Sequence, residues 1–174
     1  MQETFEQYRN RLLSFTTGGD PMKLQSEAPK KIEKLLRGAT PKKLAAKRAP
    51  GKWSVNEIVA HMADAELTIG YRMRTIAGNP GTPIQAYDQD AWAAAMRYEK
   101  RPAKASLAAF RAFRESNLAM IKSLKPEQWE HFGMHTERGK ESIRTMVSMT
   151  AGHDINHIRQ IEAIVKPKAR RASA

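Results

Sequence analysis

The chain of 174 residues contains no cysteine. That excludes a disulfide framework, a thiolate zinc site and a cysteine nucleophile, so any metal must be held by nitrogen and oxygen. Aromatic residues make up only 7% of the chain, and its 10 glycines gather in no phosphate-binding loop. Neither a GxSxG nucleophile elbow nor an HExxH zinc motif is present. No apolar stretch approaches the roughly 20 residues that a membrane span requires. The first residues, MQETFEQYRNRLL, lack the apolar core of a secretory leader. The expectation is a soluble, cytoplasmic protein with no membrane partner.

Acid is also scarce, with 18 Asp and Glu against 30 Lys and Arg, for a net charge of +12. The excess is peripheral. Residues 1–52 hold twelve basic side chains against five acidic, residues 53–165 hold fourteen against thirteen, and residues 166–174 hold four and none. A basic end can bind polyanions through counterion release, but more often it solvates a terminus. Nucleic acid is a partner the sequence allows without favouring.

What is present is helix. Residues 3–16 read as a first helix, interrupted by TTGGDP. Asp20-Pro21 makes an N-cap and first-turn pair that opens a second helix, which Pro29 could kink and Gly38 ends. Thr40-Pro41 repeats the signal for a short helix to about Lys47. Ser54-Val55-Asn56-Glu57 has capping-box spacing and starts a long helix to about Ala77. A Pro- and Gly-rich loop covers 79–87, Asp88 to Tyr98 is a modest helix, and Pro102 opens another long one through Leu124. Residues 131–140 read as loop, and the last helix runs from about Glu141 to Val165. No β-alternation or fixed-period repeat stands out. The pattern predicts an all-α, single-domain protein over residues 1–165. The domain is a four-helix bundle with a crossover connection at 78–101, plus an extra N-terminal helix. Residues 166–174 read as a disordered basic tail.

His153 and His157, spaced i, i+4, share one face of the last helix. On a helical wheel, Met146, Met149, Gln160 and Ile164 fall with them, so the imidazoles point into the bundle. His61 lies in the long helix beginning at Ser54, with Ala65, Thr68 and Arg72 on its stripe. A lone helical histidine is usually a satisfied core or surface residue. A pair one turn apart, joined by a third inward histidine on another helix, instead forms a three-nitrogen cap for a divalent metal with positions left open for ligands. His61, His153 and His157 are therefore the candidate ligands. Asp64 or Glu57 could orient His61, and Asp64 is the candidate catalytic base. Arg72 could bind an anionic substrate group at the bundle mouth.

Other features have plainer readings. Trp53 fits a hydrophobic staple at the helix start. In YDQDAW, Asp88 or Asp90 is an N-cap worth about 1 kcal/mol. The functional alternative has Tyr87, Asp90 and Trp92 lidding the pocket and contacting substrate. His131 reads as a surface residue, and His135 as a lesser candidate to line the pocket.

Three strings, GKWSVNEIVAHMADAELTIGYRMR, YDQDAW and AGHDINHIRQIEAI, resemble the DinB/YfiT-like superfamily of bacterial helical metalloproteins over residues 30–165. The resemblance implies an up-up-down-down-like four-helix bundle, with His61, His153 and His157 as the metal ligands. It also implies a homodimer and an activity among hydrolases or thiol-dependent S-transferases. The expected function is a metal-dependent enzyme acting on a small molecule. The metal, Zn²⁺ foremost with Ni²⁺, Fe²⁺ or Mn²⁺ as alternatives, would acidify water or a low-molecular-weight thiol. The rival readings are a non-catalytic stress-response metal-binding module and a basic nucleic-acid-associated protein.

Overall fold

Helix starts follow the side-chain caps. In the computed structural model, which describes residues 3–166, Thr4 caps α1 (Phe5–Ser14) in a capping box with Gln7. Asp20 caps α2 (Pro21–Leu36), and Thr40 caps the short α3 (Pro41–Ala45). Ser54 and Glu57 form the expected capping box on α4 (Val55–Gly78). Asp88, rather than Asp90, caps α5 (Gln89–Ala95). The remaining long helices are α6 (Ala103–Lys122) and α7 (Ile143–Val165). The basic tail proposed for 166–174 lies outside the described residues beyond Lys166.

One element departs from the all-helical reading. The segment taken as loop at 131–140 contributes two strands, β2 (Phe132–His135) and β3 (Gly139–Ser142), to a hairpin. The crossover donates β1 (Pro83–Ile84), which pairs parallel to β2. Strands of two to four residues are too short to show a period of two, so alternation could not reveal them. Gly139 turns the hairpin at φ 72°, a left-handed conformation that suits glycine.

The bundle comprises α2, α4, α6 and α7, with α1 laid across α7. Contacts fix the directions. Asn56 meets Ala103 and Arg74 meets Asn117, so α4 and α6 run parallel. Gln25 meets Val147 near the starts of α2 and α7, whereas Leu35 and Val165, near their ends, pack against the same apolar cluster. These two helices are also parallel, and the pairs oppose each other. The order is up-down-down-up, which corrects the up-up-down-down expectation. The long crossover does join parallel neighbours, α4 to α6, as its length predicts.

Two apolar clusters fill the ends of the bundle. One gathers Ile32, Ile58, Val59, Met62, Phe110 and Ile161; the other gathers Met73, Ile76, Ile121, Ile143 and Met146. Between them lies a polar layer. Arg114 is buried there with Glu66 and Asp154, at 2.7 Å and 2.6 Å. Pro29 explains a further contact: it has no N–H, so the Gln25 carbonyl one turn back loses its helical donor. Arg114 donates to that carbonyl at 2.8 Å, and α2 continues through the proline.

Candidate metal centre

The Ser54 cap sets the register of α4 and brings His61 inward about two turns later. Antiparallel α7 presents His153 and His157 to it from one face. The Nε2 atoms of His61 and His153 are 3.0 Å apart, as are those of His153 and His157. All three ligand nitrogens lie within 4.8 Å of one another. Nitrogens bound about 2.0–2.1 Å from one ion stand roughly 3.0–3.4 Å apart, depending on the angle between them. The cluster has the spacing of a shared cation site.

Protonation supports the same reading. Burial drives the pKa of His61 and of His153 well below the ordinary histidine value, with the neighbouring imidazoles adding to the effect. Burial pushes His157 down to about 4, although its bond to Gln160 works the other way. At neutral pH the rings are uncharged and their lone pairs are available. His157 donates its Nδ1–H to Gln160 Oε1 at 2.8 Å, which leaves Nε2 bare and facing the other two rings. Trp53 packs 4.9 Å from the His61 ring and against the cluster containing Ile58, as a staple would.

A cleft of about 420 Å³ opens over His61 and His153, a size suited to a small molecule. Arg72 and Tyr87 both line it, and the guanidinium lies 5.6 Å from the Tyr87 ring centre. Arg72 is buried and donates to the Gln85 carbonyl, which ties α4 to the crossover. His135 also lines the cleft and is buried, a larger role than its sequence context suggested. Burial, with Arg138 and Arg72 nearby, lowers it to about 4.

Other candidates lie elsewhere. Asp64 is engaged by Arg101 at 2.8 Å and by the Tyr98 hydroxyl at 2.6 Å. Its carboxylate therefore anchors the turn at Tyr98–Lys100 to α4 instead of serving the histidines. Glu57 is spent on the Ser54 cap and on Lys47. Asp90 is exposed and outside the cleft lining, consistent with its place in the first turn of a surface helix. Trp92 stacks behind Tyr87 at 4.4 Å and packs on Ala60, so it buttresses the wall without lining it. His131 is half-buried, with Nδ1 3.3 Å from the Ala77 carbonyl, rather than a free surface residue.

Sequence reasoning missed one wall of the cleft. Phe5, Tyr8 and Leu12 of α1 form it together with Arg138 and Glu141 of the hairpin. The close crossing of α1 over α7 has a signal in Gly152, where a Cβ would stand 2.2 Å from the Leu12 carbonyl oxygen. The Arg138–Glu141 pair offered no signal distinguishable from surface charge.

The chain matches the DinB superfamily over residues 26–161. A protein of Oceanobacillus iheyensis named "putative metal-dependent hydrolase" is 26% identical over 118 residues, 68% of each chain. A Bacillus cereus protein of the same name is 22% identical over 140 residues, 80% of each chain. Among solved structures, YfiT from Bacillus subtilis, described as a "probable metal-dependent hydrolase with an unusual four-helix bundle topology", superposes with a TM-score of 0.77. The superposition covers 94% of this chain and 88% of that one at 20% identity, and it supports the fold. With the family match spanning well over half its length, the chain belongs to the DinB superfamily.

Proposed function

We propose that the chain is a metal-dependent enzyme that acts on a small molecule, with His61, His153 and His157 holding one divalent cation. The observation that carries this reading is the convergence of three uncharged imidazole nitrogens, two of them on rings that line a ligand-sized cleft. Zinc fits the all-nitrogen donor set, nickel and iron are accepted by the same ligands, and manganese, which prefers oxygen donors, fits it less well. When bound, such a cation supplies a Lewis acid that lowers the pKa of water or of a low-molecular-weight thiol.

The chain's own residues do the rest. Gln160 holds His157 in the tautomer whose Nε2 is free. Trp53 covers the His61 ring on one side, and Met149 gives the cleft an apolar surface. Tyr87 and Arg72 form a polar flank against which a substrate is oriented. The hydrolase names of the relatives favour water as the nucleophile, and the absence of cysteine means that a thiol would come from outside the chain.

The test begins with elemental analysis of the purified protein. One equivalent of divalent metal is expected, and its loss in each of H61A, H153A and H157A with helical circular dichroism retained. Full metal content in all three variants would overturn the ligand assignment. The metal-loaded protein is then offered ester and amide substrates, with and without small thiols plus a model electrophile. Turnover that disappears in H153A is expected. Equal rates in parent and H153A would overturn the catalytic reading.

A further inference from the structure

Beside the histidine cluster, two guanidinium groups in the same cleft have donors to spare. Arg72 is only 8% exposed, and its one hydrogen bond among the described residues goes to the Gln85 carbonyl. A guanidinium carries five N–H donors, so most of its capacity is unused. Arg138 rests over the Phe5 ring at 5.2 Å and stands 3.3 Å from the Glu141 carboxylate. Its Nε is buried and has no hydrogen-bond partner. A buried donor without an acceptor is costly, so the Arg138 Nε, beside the spare donors of Arg72, is open to an acceptor that arrives in the cleft.

The local charge sets what that acceptor is. Arg72, Arg138 and Glu141 sum to a single positive charge on the inner wall. Two further acids reach the lining. Glu3 is exposed and held at two points by Arg11, and Glu137 is exposed at the hairpin turn. With Glu3 offset by Arg11, Glu137 brings the lining as a whole to neutral, so the two forked guanidiniums suit a monoanion such as a carboxylate better than a phosphate dianion. His135 adds a neutral donor: its Nδ1 accepts from the Glu137 N–H at 3.2 Å, so the ring proton sits on Nε2.

We infer that Arg72 and Arg138 form a carboxylate-binding subsite, so that the molecule handled at the histidine centre is a small organic acid docked by its carboxylate on these two side chains. Handling of that acid at the histidine centre rests on the metal-enzyme reading, but the subsite itself requires only the arginines. α1 then has a role in recognition, because Phe5 supports Arg138 from outside the matched family region.

The probe is succinate, titrated into the zinc-supplemented full chain, with succinamide as its uncharged counterpart and inorganic phosphate as the competing anion. Binding is followed by calorimetry and by the arginine Nε–H resonances in NMR. Saturable one-to-one succinate binding is expected, with succinamide and phosphate at least tenfold weaker. R72Q and R138Q should each weaken succinate at least tenfold while zinc content stays at the parent value. R111Q, which alters an exposed arginine paired with Glu33, should bind succinate like the parent.

Equal affinity for succinate and succinamide would overturn the subsite, as would tighter binding of phosphate. So would parent-like affinity in both R72Q and R138Q. The arginine on the hairpin turn is partly exposed, so R138Q is the variant expected to fold even where R72Q does not. Zinc content reports on the histidine centre separately. A parent protein that binds no zinc but holds succinate through the arginines sinks the metal-enzyme reading and leaves the subsite standing. The converse result does the reverse.

Discussion

Replacing Arg114 by methionine tests the polar layer most sharply. Arg114 is 1% exposed and serves Glu66, Asp154 and the carbonyl freed by Pro29. R114M keeps much of the side-chain volume and removes the charge. Two carboxylates then remain in the core with one cation gone. Breaking a buried pair from one side costs about 3–5 kcal/mol, and the orphaned Gln25 carbonyl adds roughly 1 kcal/mol or more. For a chain of this size each kcal/mol moves Tm by about 2–4 °C, so a fall of roughly 8–24 °C is expected.

The loss should depend on pH. Burial already raises Asp154 to about 6 against the pull of Arg114, and removing the cation raises it further. A carboxylate with a raised folded-state pKa binds more protons folded than unfolded, so stability falls as pH rises through that value. The gap between R114M and the parent should therefore widen from pH 5 to pH 8. Urea unfolding followed by circular dichroism at both values measures it. R114M combined with D154L should recover at least half the loss, because the second change removes one stranded charge. A deficit below about 1 kcal/mol at pH 8 would refute the reasoning, as would one that shrinks as pH rises or a double variant whose losses simply add.

Q160A should lower metal affinity by about 10–100-fold without loss of helix, since the His157 tautomer is no longer held; competition with a zinc chelator measures it, and unchanged affinity would remove Gln160 from the site. The metal-free protein should lose stability as pH falls from about 6.5 towards 4, because burial depresses His157 to about 4 and the folded state therefore resists a proton that the unfolded chain accepts. H157Q should flatten that slope in denaturant titrations, and an identical slope would contradict the assignment. G152A drives a Cβ to 2.2 Å from the Leu12 carbonyl, so it should cost about 1–3 kcal/mol and loosen α1; hydrogen exchange at Leu12 and Leu13 reads the loosening, and parent-like protection would refute it.

Local chemistry made much of this legible. Asp20, Thr40 and Ser54 marked helix starts because a cap is satisfied within three residues. The histidines were legible because helical periodicity placed His153 and His157 on one inward face. Their meeting with His61 needed only that α4 and α7 pack. What stayed hidden depends on distant partners. Asp64 looked like a neighbour of His61, yet Tyr98 and Arg101 lie 34 and 37 residues away and claim its carboxylate. Arg114, Glu66 and Asp154 drew no reading from the sequence, since nothing local announces that one guanidinium will hold two carboxylates inside. Beyond the parallel pair signalled by the long crossover, helix direction was equally silent, because caps and periodicity do not encode which neighbour a helix chooses.

Much of the cleft wall comes from segments outside the ring-bearing helices, although α4 adds Arg72 and α7 adds Met146 and Met149. Phe5 and Tyr8, the strap around Tyr87, and the hairpin from His135 to Glu141 contribute no nitrogen to the cluster. Apart from Arg72, which shares α4 with His61, the groups that choose a guest can therefore drift without disturbing ion retention. Shuffling a dozen or so rim positions would retarget the scaffold while its reactive floor stayed untouched.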